Sequence, residues 1–267
     1  MKKLSIFLAL LVLMFTELAF GAGAVATSVT GTAQVQTGSA APRLLRQGDE
    51  IQQGDTVMTG PASAAVLKFD DGQVAALTAN SRMTITAYQY NPESGGGNIL
   101  LSLIGGGMRA ITGLIGKRSP SQVAYRAATA TIGIRGTDAV LIVTPQGEVF
   151  ASVSDGQITF QLPGQPPVTI ATGEAIRARP DGTFSKGAAA AIQRELAGTP
   201  AGQAILAVLN SVATIQSAVN QANAGTPRQT PGDTGQGQGQ GQGTTGTPGQ
   251  SGTPQGGGAG GGSASGT

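Results

Sequence analysis

The chain contains no cysteine, no histidine and no tryptophan, and only 11% of its residues are charged. Without cysteine there are no disulfides, no thiolate metal sites and no thiol at the N-terminus to carry a lipid. Without histidine or cysteine, nucleophiles of the Ser–His and Cys–His kind cannot be built. Zinc, copper and haem lose their usual ligands for the same reason. The chemistry that survives is carboxylate-pair hydrolysis, Ser–Lys or Tyr chemistry, and oxygen-ligated Ca²⁺. Aromatic residues make up 4% of the chain, which removes the rings that stack on sugars in a glycosidase cleft. Glu50, Glu148 and Glu174 show no spacing that marks two of them as a catalytic pair. No nucleophile, base and orienting group can be assembled, so no catalytic, cofactor or metal residue is assigned and a non-enzymatic chain is expected. The net charge is only +2, and no Lys/Arg cluster could neutralise several phosphates at once. Nucleic acid is therefore not an expected partner.

The chain opens with an export signal. Lys2 and Lys3 precede an apolar run from Leu4 to Phe15, and small residues come next at Ala19, Gly21, Ala22, Ala24 and Ala26. The run is shorter than the roughly 20 apolar residues that cross a bilayer, and Glu17 sets a carboxylate just beyond its end. Cleavage fits after Ala22 or Ala26, and the small-x-small form of Ala24-Val25-Ala26 favours Ala26. A periplasmic or extracellular protein without a stable membrane anchor after cleavage is expected.

Composition divides the chain into a signal over 1–26, a β domain over 27–185, a helical segment over 187–222 and a disordered tail over 223–267. The tail is Gly, Gln, Thr, Pro and Ser, including the repeat Gly235-Gln236-Gly237-Gln238-Gly239-Gln240-Gly241-Gln242. It has too little apolar surface to offset the entropy of ordering. In the β domain, Gln157 to Leu162 alternates polar and apolar residues, and Met83, Ile85 and Ala87 alternate with Thr84 and Thr86. Ala139 to Val143 is a continuous apolar run, as in a strand buried on both faces. Turn signals recur at Gln146-Gly147, Asp155-Gly156, Pro163-Gly164, Thr172-Gly173 and Asp181-Gly182. This pattern predicts an all-β fold, a sandwich or roll of short, mainly antiparallel strands, with no helix between 27 and 180. The repeated Gly-Asp-x-aliphatic at Gly48 and Gly54 has a six-residue period compatible with a short β-helix, but two copies are too few to establish one. One or two C-terminal helices are expected. Thr199 can cap one with Pro200 at its first position, and Ile205, Leu209, Val212, Ile215 and Val219 form its apolar stripe.

Several segments recur in a familiar order. They are Gly31-Thr32-Ala33-Gln34-Val35, Gly48-Asp49-Glu50-Ile51, Gly54 to Gly60, Ala65 to Gly72 with its Asp70-Asp71-Gly72 turn, and Thr129 to Asp138. The last contains Gly133-Ile134-Arg135-Gly136-Thr137-Asp138. Together with Val153 to Ile158 and Thr172-Gly173-Glu174, these resemble the FecR domain over residues 29–178. The resemblance implies a β fold, an exported compartment and contacts between envelope proteins, and it implies no catalytic residues. Full sensors of that family carry a sigma-factor-binding region and a membrane helix ahead of the domain, whereas here only Lys2 and Lys3 precede the apolar run.

Individual residues read structurally. Arg135 could grip an anion with its planar fork, but the signature is expected to serve the fold, with Gly136 turning the chain, Thr137 bonding backbone and Arg135 paired inside. Asp70 and Asp71 do not have the alternating ligand pattern of a Ca²⁺ loop, and a type I′ turn at Asp71-Gly72 is expected. Gly105-Gly106-Gly107 lacks the Gly-Lys-Ser/Thr of a phosphate loop and reads as a bulge or bend. Segments 90–98 and 113–121 read as Gly-rich loops for binding an envelope protein or a wall polymer. The alternatives are a periplasmic partner of a transmembrane sigma-factor regulator and a structural component of the cell surface.

Overall fold

Val, Ile and Thr alternating with small polar residues favour pleated, half-buried backbone. In the computed structural model, which describes residues 23–224, this produces fifteen strands joined in one sheet. Every pair is antiparallel except β9 (Gly96–Ile111) with β10 (Val123–Ala127). Three strands are long: β9 has 16 residues, β11 (Ala130–Val143) has 14, and β12 (Val149–Gln161) has 13. Each of the three takes part in both halves of the sheet.

In the first half, β2 (Ala33–Thr37), β5 (Asp55–Thr59) and β8 (Arg82–Asn91) lead to the start of β9. Then come β10, the start of β11, the end of β12, and β13 (Val168–Ala171). The two-residue β3 (Arg43–Leu44) edges β2. In the second half the same long strands join β14 (Glu174–Ala178) and β15 (Phe184–Ala188) on one side. On the other lie β7 (Val74–Leu77), β6 (Ala64–Phe69), β1 (Ala24–Thr30) and β4 (Glu50–Ile51). Residues of both halves meet in one apolar core, which includes Leu67, Phe69, Met83, Leu101, Tyr125, Ile132 and Phe160. Each such fully buried side chain contributes about 1.5–3 kcal/mol. The sandwich or roll expected from the sequence is present, built from longer strands than expected.

Glycines make the shared strands bend. β9 pairs with β8 as far as Gly105 and with β11 from Gly106. Gly106 has φ +81, and a Cβ there would lie 2.5 Å from Ser81 Cα. The second bend lies between β11 and β12, where the register shifts between Arg135 and Asp138. Gly136 and Gly156 face each other there with φ +59 and +77, and a Cβ on Gly156 would lie 2.0 Å from the Gly136 carbonyl oxygen. Asp155-Gly156 is thus a bulge inside a continuous strand and does not reverse the chain. Positive φ serves bulges and turns alike, so the dipeptide does not tell them apart. Thr172-Gly173 likewise joins β13 to β14 without a reversal, since both strands run antiparallel to β12, and the other three turn signals do reverse the chain.

The outer face of the second half is covered by α2 (Ala189–Ala197), α3 (Pro200–Thr214) and α4 (Gln216–Ala224). Thr199 caps α3 by accepting from Gly202 N–H, with Pro200 at the first turn. The expected long stripe is interrupted at Ile215, where α3 and α4 meet at a 50° bend, so three helices replace the one or two expected. Ile205, Val212 and Val219 of that stripe are buried against the sheet. Phe150 and Ile142 on the sheet's outer side meet α2 and α3. That contact explains why Ala139–Val143 is apolar on both faces.

Arg177 of β14, 3% exposed, donates two nitrogens to Glu148 beside β12 at 3.0–3.2 Å. It also reaches Glu195 of α2 at 3.6 Å and the capping Thr199 hydroxyl at 3.4 Å. One guanidinium therefore ties two strands to the helical cover.

One sequence expectation is corrected. The region 27–180 is not free of helix: α1 (Leu114–Arg118) and a 3₁₀ turn (Pro120–Gln122) lie in it. Ala26, expected to end the signal, sits inside β1 and is fully buried opposite Leu67. Its N–H donates to Asp49 O, its carbonyl accepts from Gly48, and the Gly23 carbonyl accepts from Asp70. A chain starting at Thr27 would lack the first three residues of β1. The rest of the expected signal, and the tail beyond residue 224, lie outside the described residues.

Two substitutions test this architecture. Gly106→Ala is expected to cost about 2–4 kcal/mol, from positive φ plus a clash with backbone, read as a lower denaturant midpoint at unchanged slope. Arg177→Met is expected to cost about 3–5 kcal/mol by leaving a buried carboxylate unpaired, with most of the loss recovered when Glu148 is also replaced by Leu.

Candidate interaction surface

The residues singled out from the sequence are spread over three places. Asp71 is 1% exposed and does not sit in a type I′ turn. Only Gly72 has positive φ in that reversal, and its N–H bonds to Phe69 O, so a type I turn is closed by a glycine bulge. The reason is an outside demand on the carboxylate. One Asp71 oxygen accepts from Gln73 N–H at 3.0 Å and the other from Ile115 N–H at 3.3 Å, capping α1 from a distant strand pair. Burial pushes the Asp71 carboxyl up from its ordinary value, against the pull of these N–H groups. Tyr88, whose hydroxyl accepts from Asp71 N–H, and Tyr125, which donates to Gln73, are likewise raised by burial. Asp70 lies beside this cluster, half-buried in the same turn.

Thr137 is buried; its N–H donates to the Thr112 hydroxyl at 2.8 Å, and its own hydroxyl meets that same hydroxyl at 3.1 Å. Asp138 is gripped by both ends of the Arg109 fork, at 2.5 and 2.8 Å. Arg135 departs from its expected role. It is exposed and has no hydrogen bond or ion pair among the described residues, because its position in β11 alternates outward from the core. Gly133 lies on that same outward side. Segment 90–98 is a tight hairpin whose Asn91 side chain accepts from Glu93 and Ser94 N–H groups, and its turn is held by Arg118 on the Ser94 carbonyl. Segment 113–121 is α1 and the 3₁₀ turn. Neither is the long binding loop expected.

Among the described residues, no group of three acidic side chains is placed to hold a metal ion. No single helix there is long and apolar enough to cross a membrane. The feature left open is the outer side of the sheet's first half. Register builds a row across seven strands there. Gln36 lies opposite Thr56, Thr56 opposite Thr84, and Thr84 opposite Ser102. Ser102 is beside Arg126, Arg126 opposite Thr131, and Thr131 opposite Gln161. The intervening residues, Val57, Met83, Leu101, Tyr125, Ile132 and Phe160, point into the core. Hydroxyls touch along the surface at Thr56–Thr84 and Thr86–Ser102, each 2.8 Å. Arg82 and Arg135 stand on the same face to either side of the row. Sequence reading missed this surface, because its residues come from strands scattered over more than a hundred positions. The only local signal is the polar half of each alternating strand.

The raised Asp71 carboxyl makes stability fall with pH. Its contribution is complete below the ordinary carboxylate value near 3.8 and is lost as pH rises through the higher folded-state value. Denaturant unfolding between pH 3 and 7 should decline less steeply in Asp71→Asn than in the wild type. An identical slope in both would contradict the assignment.

Residues 55–159 match the family model described as FecR protein, a span inside the 29–178 expected from sequence. No curated protein matches the chain. Two crystal structures of a candidate anti-sigma factor from Parabacteroides distasonis ATCC 8503, at 1.65 and 2.50 Å, overlap with half of this chain. The identities are 14% and 15%, with TM-scores of 0.41 and 0.42. This chain spans 59% of their length. The stretch from β5 into the last part of β12, holding both glycine bends and the centre of the open face, is what resembles a FecR domain.

Proposed function

We propose that the protein is an exported, non-enzymatic FecR module that binds another macromolecule of the cell envelope through the open face of its first half-sheet. The observation that carries this reading is the contrast between the two outer faces. One is covered by three helices of the same chain. The other is a broad, uncovered array of hydroxyl, amide and guanidinium groups held on rigid strands, with Leu44 and Ile104 exposed among them. The lack of histidine and cysteine supports recognition over catalysis. Export is supported by the Lys2-Lys3 end, the apolar run and the small residues after it. The burial of Gly23, Ala24 and Ala26 supports processing after Ala22, ahead of β1.

A second reading, in which the module signals in trans to a transmembrane regulator, is favoured by the FecR match at 55–159. It shares the same face and compartment and adds a transcriptional output.

A photo-crosslinking residue placed at Thr131 or Thr159 in living cells should give high-mass adducts in the envelope fraction, while one at Gln203 on α3 should not. The mature protein recovered from that fraction should begin at Gly23. A protein confined to the cytoplasm, or adducts from α3 alone, would overturn the reading, and a mature N-terminus at Thr27 would overturn the processing site.

A further inference from the structure

We infer that the open face binds an anionic polysaccharide laid across the strands, along the row from Gln36 to Gln161. The inference rests on the interaction-module reading and names its ligand.

Charge is the first argument. Arg82, Arg126 and Arg135 are exposed on this face, and none has an ion-pair partner among the described residues. The outward positions of β2, β5, β8, β10, β11 and β12 in this half include no Asp or Glu. Of the carboxylates around it, Glu174 is engaged with Lys186 and Ala171 N–H and Asp138 with Arg109, while exposed Asp155 lies at the bend, beyond the row. In a chain of nearly balanced charge, a face carrying cations alone is complementary to an anion. The planar fork of arginine suits carboxylate or sulfate groups in two-pronged contact.

Geometry is the second. Seven strands about 4.8 Å apart make a row about 29 Å long, which suits an extended polymer better than a small molecule. β8 and β11 run in the same direction, since β9 is parallel to β10 and antiparallel to β8, and β10 is antiparallel to β11. Arg82 precedes Thr84 by two residues, about 7 Å on one side of the row, and Arg135 lies four residues after Thr131, about 13 Å on the other. Arg126 stands in the row itself. A polymer on the row therefore meets one cation directly and has one within reach on each flank.

The remaining side chains select among polymers. Thr, Ser and Gln supply both donors and acceptors, which match sugar hydroxyls. Gly133, with Ala124 opposite it, leaves a low floor between Arg126 and Arg135. The row has none of the aromatic anchors that mark the core of a protein interface. Leu44, Leu100 and Ile104 stand singly on this face and do not join into the continuous apolar face that enters a bilayer.

Affinity electrophoresis of the full chain through gels containing alginate tests the inference, with neutral dextran as the parallel gel. Alginate should retard the wild type and dextran should not. The triple variant Arg82→Gln, Arg126→Gln, Arg135→Gln should bind about tenfold or more weakly, with an unchanged circular dichroism spectrum because all three residues are exposed. A charge-matched variant off the face (Lys68→Gln, Lys117→Gln, Arg194→Gln) should bind as the wild type does. No retardation by alginate, equal retardation by dextran, or equal weakening in both triple variants would overturn the inference. Tighter binding to phosphatidylglycerol vesicles than to alginate, lost in the face variant, would make this a lipid surface and overturn it too. A protein that crosslinks in the envelope but ignores alginate refutes this ligand alone. One that binds alginate but never leaves the cytoplasm refutes the module reading.

Discussion

Three strands serve two half-sheets, and they do so only because glycines bend them. β9 turns at Gly105–Gly107, while β11 and β12 turn together where Gly136 faces Gly156. Gly106, Gly136 and Gly156 take positive φ, and at Gly106 and Gly156 the backbone comes too close to its neighbours for a Cβ. Without those bends, strands of 13 to 16 residues would extend one open sheet with an unburied apolar side. With them, the inner faces close on each other, and the core from Phe69 to Phe160 forms between them. Local backbone freedom thus decides tertiary layering.

Closure leaves two outer faces, and the chain treats them differently. The second half is apolar outside as well as inside, so α2, α3 and α4 must cover it, and Arg177 anchors that cover through Glu148, Glu195 and Thr199. Attachment is uneven. The cavities beside α3 and α4 are lined by small and polar residues such as Ser28, Ser211 and Asn220, so the helices hold to the sheet along a narrow apolar ridge. The first half is mostly polar outside, with Leu44 and Ile104 the large apolar side chains exposed there, and no helix of the described residues covers it. Its hydroxyls and amides are solvated at little cost.

Much of this was legible locally. The alternation at Gln157–Leu162 places Ile158, Phe160 and Leu162 in the core as read, and Thr199-Pro200 begins a helix as read. The triglycine is a bend inside β9, with Ser81 and Asn80 packed against Gly106. The failures all depend on partners far along the chain. Asp71 looks like a turn residue until Ile115, 44 positions away, is seen to need its carboxylate. Glu148 looked idle because Arg177 lies 29 residues on. Arg135 was expected to be paired, since a rare charge in a signature suggests a structural role, yet strand alternation turns it to solvent. The open row could not be read at all. Its register exists only after seven strands have aligned.

Native-state hydrogen exchange detected by mass spectrometry tests the shared-strand account most directly. If the bends weld the halves into one unit, amides on both sides of Gly106 and of Gly136–Gly156 should open with a common free energy equal to global unfolding, while α3 and α4 open at a lower one. Separate exchange of the two halves, with each long strand losing protection on one side of its glycines first, would contradict it.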